Sequence, residues 1–282
     1  MAKVVLVTDS TGYLPKELID LYQIRVAPQV LIWGKETFLD GIDILPDEFY
    51  RRLKTAKVMP STSQVTPATM LDIFGRILND GNEALGIFIG AELSGTLASA
   101  NQARGELAKE KIELVDSGTT AMAMGFQVLA AARALEKGAN LHEAAEVARE
   151  TSHHTGVVFT VDTLEFLQRG GRIGAASRYL GTALNVKPIL EVRGGKVEPI
   201  ERIRTKSKAL DRVLDIIAER IDGQKPVRIS AIHALAEEEA NRLLERAVGR
   251  FHPLESYMAV VSPVVGTHAG PGTVGLAFCA GI

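Results

Sequence analysis

The sequence predicts an α/β chain of two domains: an N-terminal, mostly parallel sheet flanked by helices over residues 1–155, and a C-terminal mixed α+β sheet domain over 156–282, with a ligand held between them. Three observations carry this reading. Short apolar, β-branched runs alternate with helical stretches through the first half of the chain. After about residue 155 the alternation gives way to a hairpin followed by helix and strand. The length of 282 residues also exceeds the usual ~100–200 residues of one domain, so two cores are affordable.

The elements follow in order. The run at 3–7 reads as a strand that ends in the polar turn Thr8-Asp9-Ser10-Thr11, and Pro15 suits the first position of the helix that follows. Strands are expected at 85–89 and 112–115, each feeding a helix, at 97–109 and 121–137, with Gly138 stopping the second. A helix from Leu141 opens with Asn140 three residues ahead of Glu143, the spacing of a capping box. Beyond it, 157–161 reads as a strand. Residues 189–192 and 197–204 read as a hairpin about Arg193-Gly194-Gly195-Lys196, with Pro199 making the second strand an edge or bulged one. A helix at 206–221, a strand at 227–233, a helix at 236–250 and a strand at 258–261 complete the second domain.

Composition excludes several classes. Lys and Arg total 32 against 34 Asp and Glu, a net charge of −2, so no global field draws a nucleic-acid backbone. The single cysteine, Cys279, rules out a disulfide framework and a thiolate metal cage, and suits a reducing, cytoplasmic location. The first apolar run is too short for an export signal, and no stretch approaches the ~20 apolar residues of a membrane helix. His153 and His154 are adjacent rather than spaced as helical metal ligands, so no metal is expected. Aromatic residues are only 5%, so a pocket would be lined mainly by aliphatic groups.

Four hydroxyl-rich segments, 8–11, 60–64, 93–96 and 115–119, are expected at the carboxyl edge of the parallel sheet, where open α/β sheets bind ligands. Their neutral donors, with Gly95 allowing close approach to the backbone, suit an anion. No G-x-x-x-x-G-K-[ST] loop is present and these segments carry no Lys or Arg, which favours a carboxylate over a phosphate. The one G-x-G-x-x-G, at Gly270–Gly275, has only seven residues after it and reads as a close-packed turn, not a cofactor fingerprint. Ser94, His268 and Asp9 supply the residue types of a hydrolase triad without a G-x-S-x-G elbow, leaving a small-molecule serine esterase as the alternative. Arg169, Arg172 and Arg202 belong to basic segments that read either as solvated faces or as a docking surface for an acidic partner.

The motifs T-D-S-T-G-Y-L-P at Thr8–Pro15, F-L-D-G-I-D-I from Phe38, P-S-T-S-Q from Pro60, L-S-G-T from Leu93, V-D-S-G-T-T-A from Val115, L-E-F-L-Q-R-G-G-R-I from Leu164, L-N-V-K-P-I-L from Leu184 and G-T-H-A-G-P-G from Gly266 run collinearly along the chain. In this set and order the chain resembles the DegV family, whose members look like the fatty-acid-binding subunits of bacterial fatty acid kinase. The resemblance implies a non-catalytic carrier without a cofactor: a long-chain fatty acid buried between the domains, and a separate kinase subunit phosphorylating its carboxylate for phospholipid metabolism. It places the carboxylate at Thr62 and Ser94, with Ser63, Gly95 and His268 around it, and kinase docking at Arg169, Arg172 and Arg202. Neither nucleic-acid binding nor stable membrane insertion is implied.

Overall fold

The computed structural model describes residues 2–180 and 186–282, so Leu184 and Asn185 of one motif lie outside the described residues. β1 (Val4–Asp9) passes through a tight turn at Ser10–Gly12 into α1 (Lys16–Tyr22) and β2 (Arg25–Ala27). Pro15 caps α1 from outside, with extended backbone, rather than occupying its first turn. Next come β3 (Val30–Trp33), β4 (Glu36–Leu39), α2 (Pro46–Leu53), β5 (Ser61–Ser63), α3 (Pro67–Asn79), β6 (Glu83–Phe88), α4 (Thr96–Gly105), β7 (Ile112–Asp116), α5 (Ala121–Glu136) and α6 (Leu141–Ser152). The rest of the chain forms β8 (Thr155–Thr160), α7 (Glu165–Arg169), β9 (Lys187–Arg193), β10 (Lys196–Ile203), α8 (Lys206–Ile221), β11 (Val227–His233), α9 (Glu237–Phe251), β12 (Glu255–Val260), α10 (Pro263–Ala269) and β13 (Val274–Ala280).

Three sheets result. The first, in the order β2-β1-β6-β7, is parallel throughout, as its strand–helix alternation requires. The second, β10-β9-β8-β13-β11-β12, is mixed: only β11 and β12 run parallel. The hairpin turn places Gly194 and Gly195 at positive φ, and the ladder shifts register between Pro199 and Glu201 on the edge strand β10, where the proline cannot donate. The α/β class with a parallel N-terminal and a mixed C-terminal sheet is therefore the observed one. The Asn140–Glu143 capping box forms in both directions.

Two features depart from the sequence expectation. β13, for which no strand is expected, is a central strand, buried along its whole length and paired antiparallel to both β8 and β11. Its uninterrupted apolar run Val274–Ala280 has no polar alternation because both faces are covered. The segment from β3 to β5 builds a separate three-stranded antiparallel sheet, β4-β3-β5, so the 60–64 hydroxyls come from beside the parallel sheet rather than from its edge.

α5 explains how the sheets meet. It is apolar on nearly every face, with residues 121–129 all buried, and it packs against both β1 and β6 of one sheet and β8 and β13 of the other. The largest hydrophobic cluster runs through this junction, joining Leu31, Trp33, Phe49 and Tyr50 of the side layer to α5, β8 and β13. No helix among the described residues is long and apolar enough to cross a membrane.

Candidate functional site: an aliphatic cavity closed by hydroxyls

At this junction the packing leaves a cavity that, counted with the open space at its mouth, amounts to about 870 Å³. Each wall comes from a different element. β8 supplies Val157 and Phe159, the hairpin supplies Val192 and Val197, and α10 supplies Val264 and Val265. The hairpin is tied to the first sheet where the Gly195 amide donates to the Gly118 carbonyl (2.7 Å) beyond the end of β7. Aliphatic groups therefore dominate, as the low aromatic content predicts.

Four of the polar lining residues are those expected at the head-group site. Thr62 and Ser63 come from β5, Ser94 from the loop before α4, and His268 from α10; all four line the cavity. Thr62 Oγ1 lies 2.8 Å from His268 Nε2. Burial, aided by the nearby Arg172 charge, lowers the His268 pKa to about 4, so the ring is neutral near pH 7. Its Nδ1 is buried without a partner. An N–H left there would lose a donor, so the proton belongs on Nε2, donating to Thr62 and leaving the threonine hydroxyl to donate into the cavity. Gly170 makes room for the ring: a Cβ at that position would lie 1.9 Å from His268 Nδ1.

Gly95 sits beside the Gln64 side chain, 3.1 Å from where its Cβ would be, and is not part of the cavity wall. The triad arrangement does not form. Ser94 Oγ bonds to Thr96 Oγ1 (2.9 Å), His268 bonds to Thr62, and the Asp9 carboxylate is turned to Thr11 and to the Ile89 amide. The chemistry of a serine hydrolase needs the base on the nucleophile and the acid on the base, and here each is engaged elsewhere.

A second groove shares Thr62, His268 and Arg172 with the cavity wall and is lined further by Phe166, Arg169 and Ser61. Arg172 is anchored at its edge by donating from Nε to the Leu93 carbonyl (3.1 Å) and from Nη1 to the Gly170 carbonyl (2.8 Å), while Arg169 pairs with Glu165 (2.6 Å). Arg202 lies on β10 with its guanidinium 5.0 Å from the Tyr179 ring centre, outside both this groove and the cavity wall.

The sequence reading missed Asp40, which ties the side layer to the site. Its carboxylate, 2% exposed, accepts from Ser10 Oγ (2.7 Å). Burial raises its pKa from 3.8 to about 6, against hydrogen bonds from Ser10, Ser262 and the Val264 amide, while the Asp9 charge adds to the rise. A pKa higher in the folded than in the unfolded chain contributes stability that is present below about pH 4 and is lost as pH climbs through about 6. Asp40→Asn removes that loss. Its stability relative to the parent is expected to grow from acid to neutral pH, by up to about 3 kcal/mol, in urea unfolding at a series of pH values. A difference that does not change with pH would show that Asp40 titrates as it does in the unfolded chain.

Thr11, from the expected 8–11 segment, lines the cavity, and Gln29, Tyr13 and Thr120 also line it without having been anticipated. The only signal for them is their position next to strand ends, which many residues share.

Comparison with known proteins gives consistent matches. Residues 3–281 match the family model described as “Uncharacterised protein, DegV family”. A DegV domain-containing protein of Streptomyces coelicolor is 38% identical over 275 residues, covering 97% of each chain. Protein DegV of Bacillus subtilis is 32% identical over 279 residues, 98% of this chain and 99% of its own. Among solved structures, one described as fatty acid binding of a DegV family protein from Thermus thermophilus superposes with a TM-score of 0.93 at 31% identity, covering 99% of both chains. The crystal structure of DegV, a fatty acid binding protein from Bacillus subtilis, superposes at 0.90 and 31% identity, covering 99% of this chain and all of that one.

Proposed function

From a chain that belongs to the DegV family, we propose a carrier that holds one long-chain fatty acid in the aliphatic cavity and offers its carboxylate, bound by Thr62 and Ser94, to a separate fatty acid kinase. DegV family proteins bind fatty acids. The observation that carries the reading for this chain is the pairing of an aliphatic cavity with the Thr62 and Ser94 hydroxyls that line it, Thr62 backed by the neutral His268 ring. A charged carboxylate accepts strong hydrogen bonds from such donors while its chain replaces water against Val and Phe side chains. In this carrier the chain divides between residues 155 and 156, with the ligand held where the two units meet.

The kinase step transfers the terminal phosphoryl group of ATP to a carboxylate oxygen, giving an acyl phosphate and ADP. The groove beside His268 supports this part of the reading, because Arg169 and Arg172 there offer guanidinium donors to phosphate oxygens or to an acidic partner surface. Arg202 enters as a more distant docking residue on β10. The test has two stages. Denaturing mass spectrometry of the purified protein should release an acyl chain, or the protein should take up added palmitate; a chain that does neither is not a fatty acid carrier. With a bacterial fatty acid kinase and ATP, Arg172→Ala and Arg202→Ala should slow acyl phosphate formation while fatty acid remains bound. Parental rates in both variants would remove these arginines from docking.

A further inference from the structure

Behind Ser94 lies a one-way chain of buried hydrogen bonds. Asp9 is 1% exposed, and its carboxylate receives hydrogen bonds from the Thr11 amide and hydroxyl and from the Ile89 amide, with the Gln29 side chain close enough to offset part of the rise that burial gives its pKa. A carboxylate only accepts, so it turns the Gln29 amide with its NH₂ inward. That NH₂ donates to Thr96 Oγ1 at 2.8 Å. Gln29 is 2% exposed and Thr96 fully buried, so neither has water as an alternative partner.

Directionality then propagates. Either hydroxyl could donate across the 2.9 Å contact between Ser94 Oγ and Thr96 Oγ1, but with Thr96 Oγ1 already accepting from Gln29, directing the Thr96 proton to Ser94 Oγ satisfies both groups of the buried threonine. Ser94 Oγ also receives the Thr96 amide at 3.3 Å. Both lone pairs of Ser94 are engaged, and the one capacity left to it is its proton. Ser94 lines the cavity, so that proton is available there.

We propose that Gln29 and Thr96 are positioning residues that hold Ser94 as an obligate donor, so that the head-group site selects an acceptor-only group, an ionised carboxylate, over a carboxamide of the same shape. Thr62, receiving the His268 Nε2 proton, is the matching donor from the other side. A carboxamide places an NH₂ where a donor already points, and one buried donor goes unpaired. This inference rests on the fatty acid reading and adds to it a mechanism of head-group choice.

The experiment compares palmitate with palmitamide by isothermal titration or displacement of a fluorescent fatty acid. The parent should prefer palmitate. Thr96→Val keeps the side-chain shape and removes the hydroxyl, so Ser94 can rotate and accept; the palmitate-to-palmitamide affinity ratio should fall about 10- to 100-fold. Thr96→Ser should restore it. Gln29→Met, which keeps length and removes the donor, should lower the ratio in the same direction and serves as the second variant if Thr96→Val does not fold. A merely structural role would weaken both ligands equally, and an unchanged ratio in folded Thr96→Val or Gln29→Met overturns the inference while leaving the carrier reading intact. A parent that binds neither ligand overturns both.

Discussion

Lengthening a saturated fatty acid from about eight to about sixteen carbons is expected to tighten binding roughly 10⁴- to 10⁵-fold, because each buried methylene contributes ~0.8 kcal/mol. The head-group interactions are the same at every length, as is most of the association entropy, so the slope isolates the tail. It should hold while methylenes still enter space bounded by Val157, Phe159, Val192, Val197 and their neighbours, and flatten once that space is full. Titration calorimetry across the series gives both the slope and the length at which it breaks. If affinity did not depend on length over this range, the aliphatic walls would not be contacting the ligand, and a carrier of long chains would be excluded. The heat capacity change should be negative and grow with length in the same experiments.

Gly170→Ala should displace His268 and cost the head group its Thr62 donor. The added methyl group would overlap the ring, 1.9 Å from Nδ1, while the backbone at Gly170 (φ −77°, ψ −6°) is open to any residue, so the effect isolates the contact from backbone strain. Overpacking of this kind costs about 1–3 kcal/mol in stability. A misplaced donor to a charged ligand costs a further ~1.5–3 kcal/mol in binding, about 10- to 100-fold. The double variant Gly170→Ala/His268→Ala supplies the control. With the ring gone the methyl has room, so the stability cost of Gly170→Ala should largely vanish in the His268→Ala background. Additive costs in this cycle would mean that the ring is not where the glycine makes room for it.

How much was legible in the sequence depended on the range of the interaction. The capping box from Asn140 to Glu143, the hairpin turn at Gly194-Gly195 and the bulge at Pro199 involve neighbours along the chain, and residue type alone specifies them. The burial of α5 was foreshadowed by an apolar helix of which only Gln127 and Arg133 break the run. β13 escaped because a glycine-rich turn ahead of it drew the reading toward a loop, and a short apolar run without alternation has no period to detect. The β3–β5 side layer escaped for a related reason, since its strands are three or four residues long.

By itself, then, the amino-acid order determined the strand–helix alternation, the mixed second sheet and the family, all of which follow from local propensity, periodicity and collinear motifs. Only the tertiary structure decided which hydroxyls meet. Thr62 reaches His268 across 206 positions of chain, and Gln29 reaches Thr96 across 67. Such pairings have no sequence period. They arise because α5 draws the two large sheets together and the side layer packs against α10, bringing polar residues from distant segments to the wall of an aliphatic cavity.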